Sequence, residues 1–127
     1  MRIFLVRHAE AASGEPDELR PLTAEGNAAA RELGDRLASE KPDAVVCSPL
    51  LRARETAEHI ARAAGLEAEP EEKLAPGAGI TDLSAAVSGR GGTVVVVGHQ
   101  PDCSEIVLAL TGEERNFEPG AFAELEL

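Results

Sequence analysis

The chain has 127 residues, enough for one hydrophobic core and one domain. It carries 23 acidic against 12 basic side chains, a formal net charge of −11, and it has no Trp or Tyr. That balance excludes nucleic-acid binding on a basic, aromatic platform, and it repels anionic membrane surfaces.

Residues 2–7, with the run Ile3-Phe4-Leu5-Val6, predict a first strand that ends in Arg7-His8. No signal-peptide pattern precedes it, and no apolar run is long enough to span a bilayer, so a cytoplasmic location is expected. Residues 9–22 read as a polar loop with Gly14, Pro16 and Pro21. Thr23 is the expected N-cap of a helix running to about Glu40, with Ala29, Ala30, Leu33 and Leu37 at helical spacing. Lys41-Pro42-Asp43 ends it, and Ala44–Cys47 is a short strand. Ser48-Pro49 reads as an N-cap followed by Pro at the first helical position, opening a helix that stops at Gly65. A short strand is expected within Leu66–Pro70, then a loop over 71–79, a helix at about 80–88 and the turn Gly89–Gly92. Residues 93–98, with the run Val94–Val97, form the next clear strand and lead into His99. Pro101 opens a helix to Leu110 that Gly112 ends, and Ala121–Leu127 alternates apolar and acidic residues as a final strand with one wet face. This order implies one α/β domain over residues 1–127. Its expected architecture is a three-layer α/β/α sandwich, with a mostly parallel central sheet and helices on both faces.

Two histidines thus follow two buried-strand patterns. Ligands of open α/β sheets bind just beyond the carboxyl ends of the strands, so Arg7, His8 and His99 are expected at one edge. An Arg beside a His there points to chemistry on phosphate, the imidazole attacking and the guanidinium holding oxygens. Arg20 and Arg52 would extend that local anion site against the acidic surface. Arg52 opens a helix, where a cation opposes the dipole, and that local cost favours a binding role. His59, mid-helix among Ala and Glu, reads as a surface residue, and Cys47 and Cys103 as free thiols. A thiol-phosphatase loop needs five residues between Cys and Arg, which neither cysteine offers, and there is no P-loop. The three histidines lack metal-ligand spacing, so neither a metal nor a cofactor is expected.

Four segments, Arg7-His8-Ala9-Glu10, Arg20-Pro21-Leu22-Thr23, Ser48-Pro49-Leu50-Leu51-Arg52-Ala53-Arg54-Glu55-Thr56 and Gly98-His99-Gln100-Pro101, span nearly the whole chain. In type and order they resemble the histidine phosphatase superfamily, with its phosphoglycerate-mutase-like fold. The Arg-Pro-Leu-Thr element and the short length are similar to its SixA-type phosphohistidine phosphatase branch. The resemblance implies that His8 is the nucleophile of a phosphohistidine intermediate. It makes Arg7, Arg52 and His99 the phosphoryl clamp and puts Arg20 at the pocket mouth. The neighbouring arginines should favour a neutral imidazole, and its second nitrogen should donate to a backbone carbonyl.

Ala9 stands where the family usually has Gly. It is expected to bring a methyl to the phosphate approach, tolerable at negative φ. Many relatives carry an acid in the stretch matching Lys73-Leu74-Ala75-Pro76-Gly77, which here has none; Glu10, Glu15, Asp17 and Glu18 remain unassigned alternatives. An imidazole leaving group needs less acid help than an alkoxide, and the SixA-type branch shares the gap. The implied partner is therefore a phosphate-bearing substrate, a phosphohistidine protein foremost, docking on an open site. A monomer is expected. The alternatives are a small-molecule phosphomonoesterase of the same fold and a phosphate-binding module without turnover.

Overall fold

Alternate side chains of the central strands feed two separate cores. Ile3, Leu5, Val94 and Val96 enter one, and Phe4, Val6, Val95 and Val97 enter the other. All eight are at most 2 % exposed, which explains why these runs are apolar on both faces. The computed structural model describes residues 1–127. Strands β1 (Arg2–Arg7), β2 (Ala44–Cys47), β3 (Ala68–Pro70), β4 (Thr93–Gly98) and β5 (Phe122–Glu126) form one sheet in the order β3-β2-β4-β1-β5. Only the β1–β5 pair is antiparallel. Helices α1 (Ala24–Ala38) and α2 (Leu51–Ala64) cover one face. Helices α3 (Ile80–Val87) and α4 (Asp102–Thr111) cover the other. The three-layer, mostly parallel architecture is the one expected from sequence.

The helix signals act as read. Thr23 Oγ1 accepts from the Gly26 amide at 2.9 Å, and Gly65 and Gly112 terminate α2 and α4. The α2 start differs. Regular helix begins at Leu51, because Ser48 stays with the strands: its amide donates to the Val97 carbonyl at 3.0 Å and its hydroxyl turns to His99. Two close approaches fix α1. A Cβ on Gly34 would meet the His59 carbonyl oxygen at 2.7 Å, so α1 packs backbone to backbone on α2. A Cβ on Gly26 would meet the Glu10 carbonyl oxygen at 2.1 Å, so only glycine lets the 9–22 loop lie on α1.

Candidate active site

Register brings the site together. Arg7 pairs with Gly98 and Cys47 with Val97, so β1, β4 and β2 end in step. The ladder runs one residue further at two places: the His8 amide donates to the Gly98 carbonyl and the Ser48 amide to the Val97 carbonyl, both at 3.0 Å. The rings of His8 and His99 then meet edge to face, with centroids 5.3 Å apart. Arg7, His8 and His99 share one edge, as anticipated from the two strand patterns.

The His8 Nδ1 lies 2.7 Å from the Ala9 carbonyl oxygen. A carbonyl only accepts, so Nδ1 carries the proton and Nε2 presents its lone pair. The His8 pKa falls from 6.5 to about 4. Burial is the largest cause, the bond to Ala9 opposes it, and Arg52, Arg7 and Arg20 push further down. The arginines act in the direction expected from the sequence, and burial adds a larger push the same way. His99 is 4 % exposed, and its pKa also falls to about 4, through burial first and then through His8 and Arg52. Both rings are neutral at pH 7.

Arg7 donates through Nη1 to the Phe117 carbonyl at 2.8 Å, while its buried Nε has no protein partner. Arg52 projects from the first turn of α2 and is buried; its guanidinium donates to the Asp17 carbonyl oxygen at 2.9 Å and to Asp17 Oδ2 at 3.2 Å. Arg20 Nε donates to the Ala12 carbonyl at 2.8 Å and Nη1 to Asp17 Oδ1 at 3.0 Å. Arg20 and Arg52 together hold the Asp17 carboxyl below the usual carboxylate range. An Asp17 so fixed as a carboxylate has no proton to lend at neutral pH. Glu10 is engaged by the Thr23 hydroxyl at 2.8 Å, and Glu15 and Glu18 are exposed. The loop at Ala75-Pro76-Gly77 offers no acid; its Gly77 amide is instead tied to the buried Asp102 Oδ2 at 2.8 Å.

Ala9 has the negative φ its tolerance called for, but its methyl points elsewhere than expected. It is wholly buried, and its methyl packs with Leu22 and Ala30. Its φ is negative, because Lys41 is the one non-glycine residue with positive φ. The methyl thus fastens the loop instead of crowding a phosphoryl group.

His59 is not merely a surface residue either. Its Nε2 meets Asn27 Oδ1 at 2.9 Å and joins α2 to α1, away from the strand ends. Burial pushes both cysteine thiols up to about 12, leaving them inert.

Two hydroxyls in the quoted segments carry contacts that the sequence reading did not foresee. Thr56, wholly buried, accepts from the Ala9 amide at 3.0 Å and donates to the Arg52 carbonyl at 2.8 Å. Ser48, also wholly buried, hydrogen-bonds His99 Nε2 at 2.7 Å. The available signal for Thr56 was its position one helical turn after Arg52, on the same face of α2. Glu55 Oε1 accepts from the Leu22 amide at 2.8 Å and pins the Arg-Pro-Leu-Thr element. The largest surface cavity, about 500 Å³, lies beside α4 and is lined by Ser104, Leu108 and Arg115 among others. None of the three cavities includes Arg7, His8, Arg52 or His99. Volume points to α4, but the strand ends bring two imidazoles of lowered pKa together with converging arginines, which makes them the candidate site.

Residues 3–76 match the family model described as the histidine phosphatase superfamily, branch 1. That span holds every segment above except Gly98-His99. The phosphohistidine phosphatase SixA of Escherichia coli K12 is 31% identical over 119 residues, covering 87% of this chain and 74% of that protein. A structure of the protein histidine phosphatase SixA complexed with tungstate superposes with a TM-score of 0.87 at 32% identity, over 100% of this chain and 88% of that one. A phosphoglycerate mutase from Bacillus anthracis shares the fold, with a TM-score of 0.77 at 18% identity over 98% of this chain and 86% of that one. The chain belongs to the histidine phosphatase superfamily, in its SixA-type branch, and is a phosphatase.

Proposed function

We propose that residues 1–127 form one histidine phosphatase domain that hydrolyses phosphohistidine on a protein partner, by way of a phosphorylated His8 and without a metal. One observation carries the reading: His8 presents the Nε2 lone pair beside three arginines, while no nearby carboxylate is poised to protonate a basic leaving group.

In the first step Nε2 of His8 attacks phosphorus, the new N–P bond forms, and the bond to the substrate imidazole breaks. With its far nitrogen protonated from solvent, that imidazole departs neutral, so a protein acid is dispensable. Arg7 and Arg52 bind equatorial oxygens through planar forks, and His99 donates to a third. The Ala9 carbonyl keeps Nδ1 of the phosphorylated His8 protonated. When water attacks phosphorus, the His8 ring therefore leaves as neutral imidazole and is restored. Phosphoryl transfer asks mainly for positioning and charge stabilisation, which two arginines and two histidines supply. No cavity encloses His8, which suits a phosphoryl group borne on a protein surface. The name of the Escherichia coli relative points the same way.

The test is phosphate release from a phosphohistidine-bearing protein and from a simple phosphomonoester, by wild type and His8→Ala. Release from phosphohistidine is expected, with a loss of at least about 10⁴-fold in His8→Ala. An acid-quench trap should capture an acid-labile phosphate on the wild type. Release from the monoester alone would move the substrate to small molecules. Folded protein with no release from either would make it a binding module.

A further inference from the structure

Whether His99 can serve as a hydrogen-bond donor depends on which of its nitrogens holds the proton. The ring is neutral at pH 7, so one nitrogen donates and the other accepts. Nε2 lies 2.7 Å from Ser48 Oγ, and a hydroxyl can play either part. The surroundings of Ser48 decide between them. Ser48 is wholly buried, and its Oγ already accepts from the Leu50 amide at 3.2 Å. No other acceptor lies within hydrogen-bond reach of that hydroxyl. If Nε2 carried the proton, the Ser48 hydroxyl proton would be buried without a partner, which native interiors avoid.

We infer that Ser48 is a positioning residue whose hydroxyl donates to His99 Nε2 and so holds the ring as the Nδ1–H tautomer, aiming a donor at the phosphoryl group. The proton order is Leu50 N–H to Ser48 Oγ, Ser48 O–H to His99 Nε2, then His99 Nδ1–H outward. His8 is held in the same tautomer with the opposite result. Its Nδ1–H is spent on the Ala9 carbonyl, and the free nitrogen is an acceptor. One tautomer, pinned at opposite nitrogens, thus gives the site one nucleophile and one donor. The catalytic meaning rests on the function proposed above; the tautomer does not.

Nitrogen-15 NMR of the histidine rings at pH 7 tests it directly. The wild type should show a protonated, pyrrole-type Nδ1 and a pyridine-type Nε2 at His99. Ser48→Ala should let both tautomers populate at His99 while His8 is unchanged, and should lower kcat/KM about tenfold or more. Ser48→Thr, which keeps the hydroxyl, should restore the Nδ1–H form. A protonated Nε2 at His99 in the wild type would overturn the inference without any variant, and so would a folded Ser48→Ala with an unmoved tautomer. Should His8→Ala keep full activity, the proposed function fails, while the ring measurement still decides the role of Ser48.

Discussion

The candidate site has two halves built on different principles. Arg7, His8 and His99 sit at strand ends, where a backbone carbonyl or a buried hydroxyl fixes each side chain at 2.7–2.8 Å. Arg20 and Asp17 sit on the 9–22 loop, where Asp17, its side chain 61% exposed, is ion-paired to both Arg20 and Arg52. Contacts of the first kind form with the sheet and gain from burial. Exposed ion pairs are worth little and yield to a competing anion. The proposed nucleophile therefore stands in the rigid half, and the part that would adjust to an incoming phosphoryl group stands in the yielding half. Arg52 is where they join: its backbone belongs to α2 and its guanidinium faces Asp17.

After loss of His8 itself, the largest expected effect lies at that junction. Arg52→Lys keeps the charge but loses the planar fork that can hold two oxygens at once. A loss of about 10²–10³-fold in kcat/KM is expected, read from initial rates on phosphohistidine protein. A loss below fivefold would show that charge alone suffices and that the junction is not special.

Next comes the anchor of the loop. Gly26→Ala puts a Cβ against the Glu10 carbonyl, whose oxygen also accepts from the Thr23 amide at 3.0 Å. The cost should be roughly 2 kcal/mol and about 5–10 °C in Tm. Amide exchange should quicken at Thr23 and Ala12 before it does at His8. Uniform quickening across both halves would mean that they unfold as one unit.

Much of this contrast could be read from the residues. The rigid half lies in two runs with unmistakable strand patterning, Ile3–Val6 and Val94–Val97, and a parallel sheet brings their ends together whatever the details. The loop half was harder to read. Arg20 could be named from its motif, but nothing in the local pattern says that Asp17 would face Arg52, 35 residues away. Ser48 misled for a related reason. Ser-Pro before an apolar run is a good helix-start signal, and only the tertiary register shows that the hydroxyl is needed by a histidine 51 residues on. The Ala9 methyl was misplaced because its direction depends on where Leu22 and Ala30 fold back.

Acid should act on the rigid half first. His8 and His99 are held neutral down to about pH 4, whereas in the unfolded chain each takes up a proton near 6.5. Between those values the unfolded state binds more protons, so stability falls as pH drops from about 6.5 to about 4, and this contribution is complete above 6.5. His8 lowers the proton affinity of His99, so the two titrations are linked. Ring-proton NMR should show apparent pKa values well below 6.5 for both. After correction for substrate ionisation, the acid limb of kcat/KM should lie near 4. An acid limb at 6.5 would mean that the rings are solvated, and the rigid half would lose its defining property.

The smallest effect falls on Asp17, and its sign matters more than its size. The carboxylate takes up an Arg52 donor, Nη2, that a phosphoryl oxygen would otherwise be free to use, with Arg20 on its other oxygen. An anion that takes Arg52 must displace it or share the guanidinium with it. Asp17→Asn removes that competition and should tighten inhibition by inorganic phosphate or tungstate, by up to about fivefold for so exposed a pair. Were Asp17 instead the missing acid, Asn would leave inhibition alone and slow hydrolysis of phosphomonoesters with basic leaving groups, sparing phosphohistidine. Inhibition constants and leaving-group series measured on the same variant separate the two. The fixed carboxylate favours the first outcome, because an aspartate held ionised by two guanidiniums is a poor proton donor and a ready competitor for the anion site.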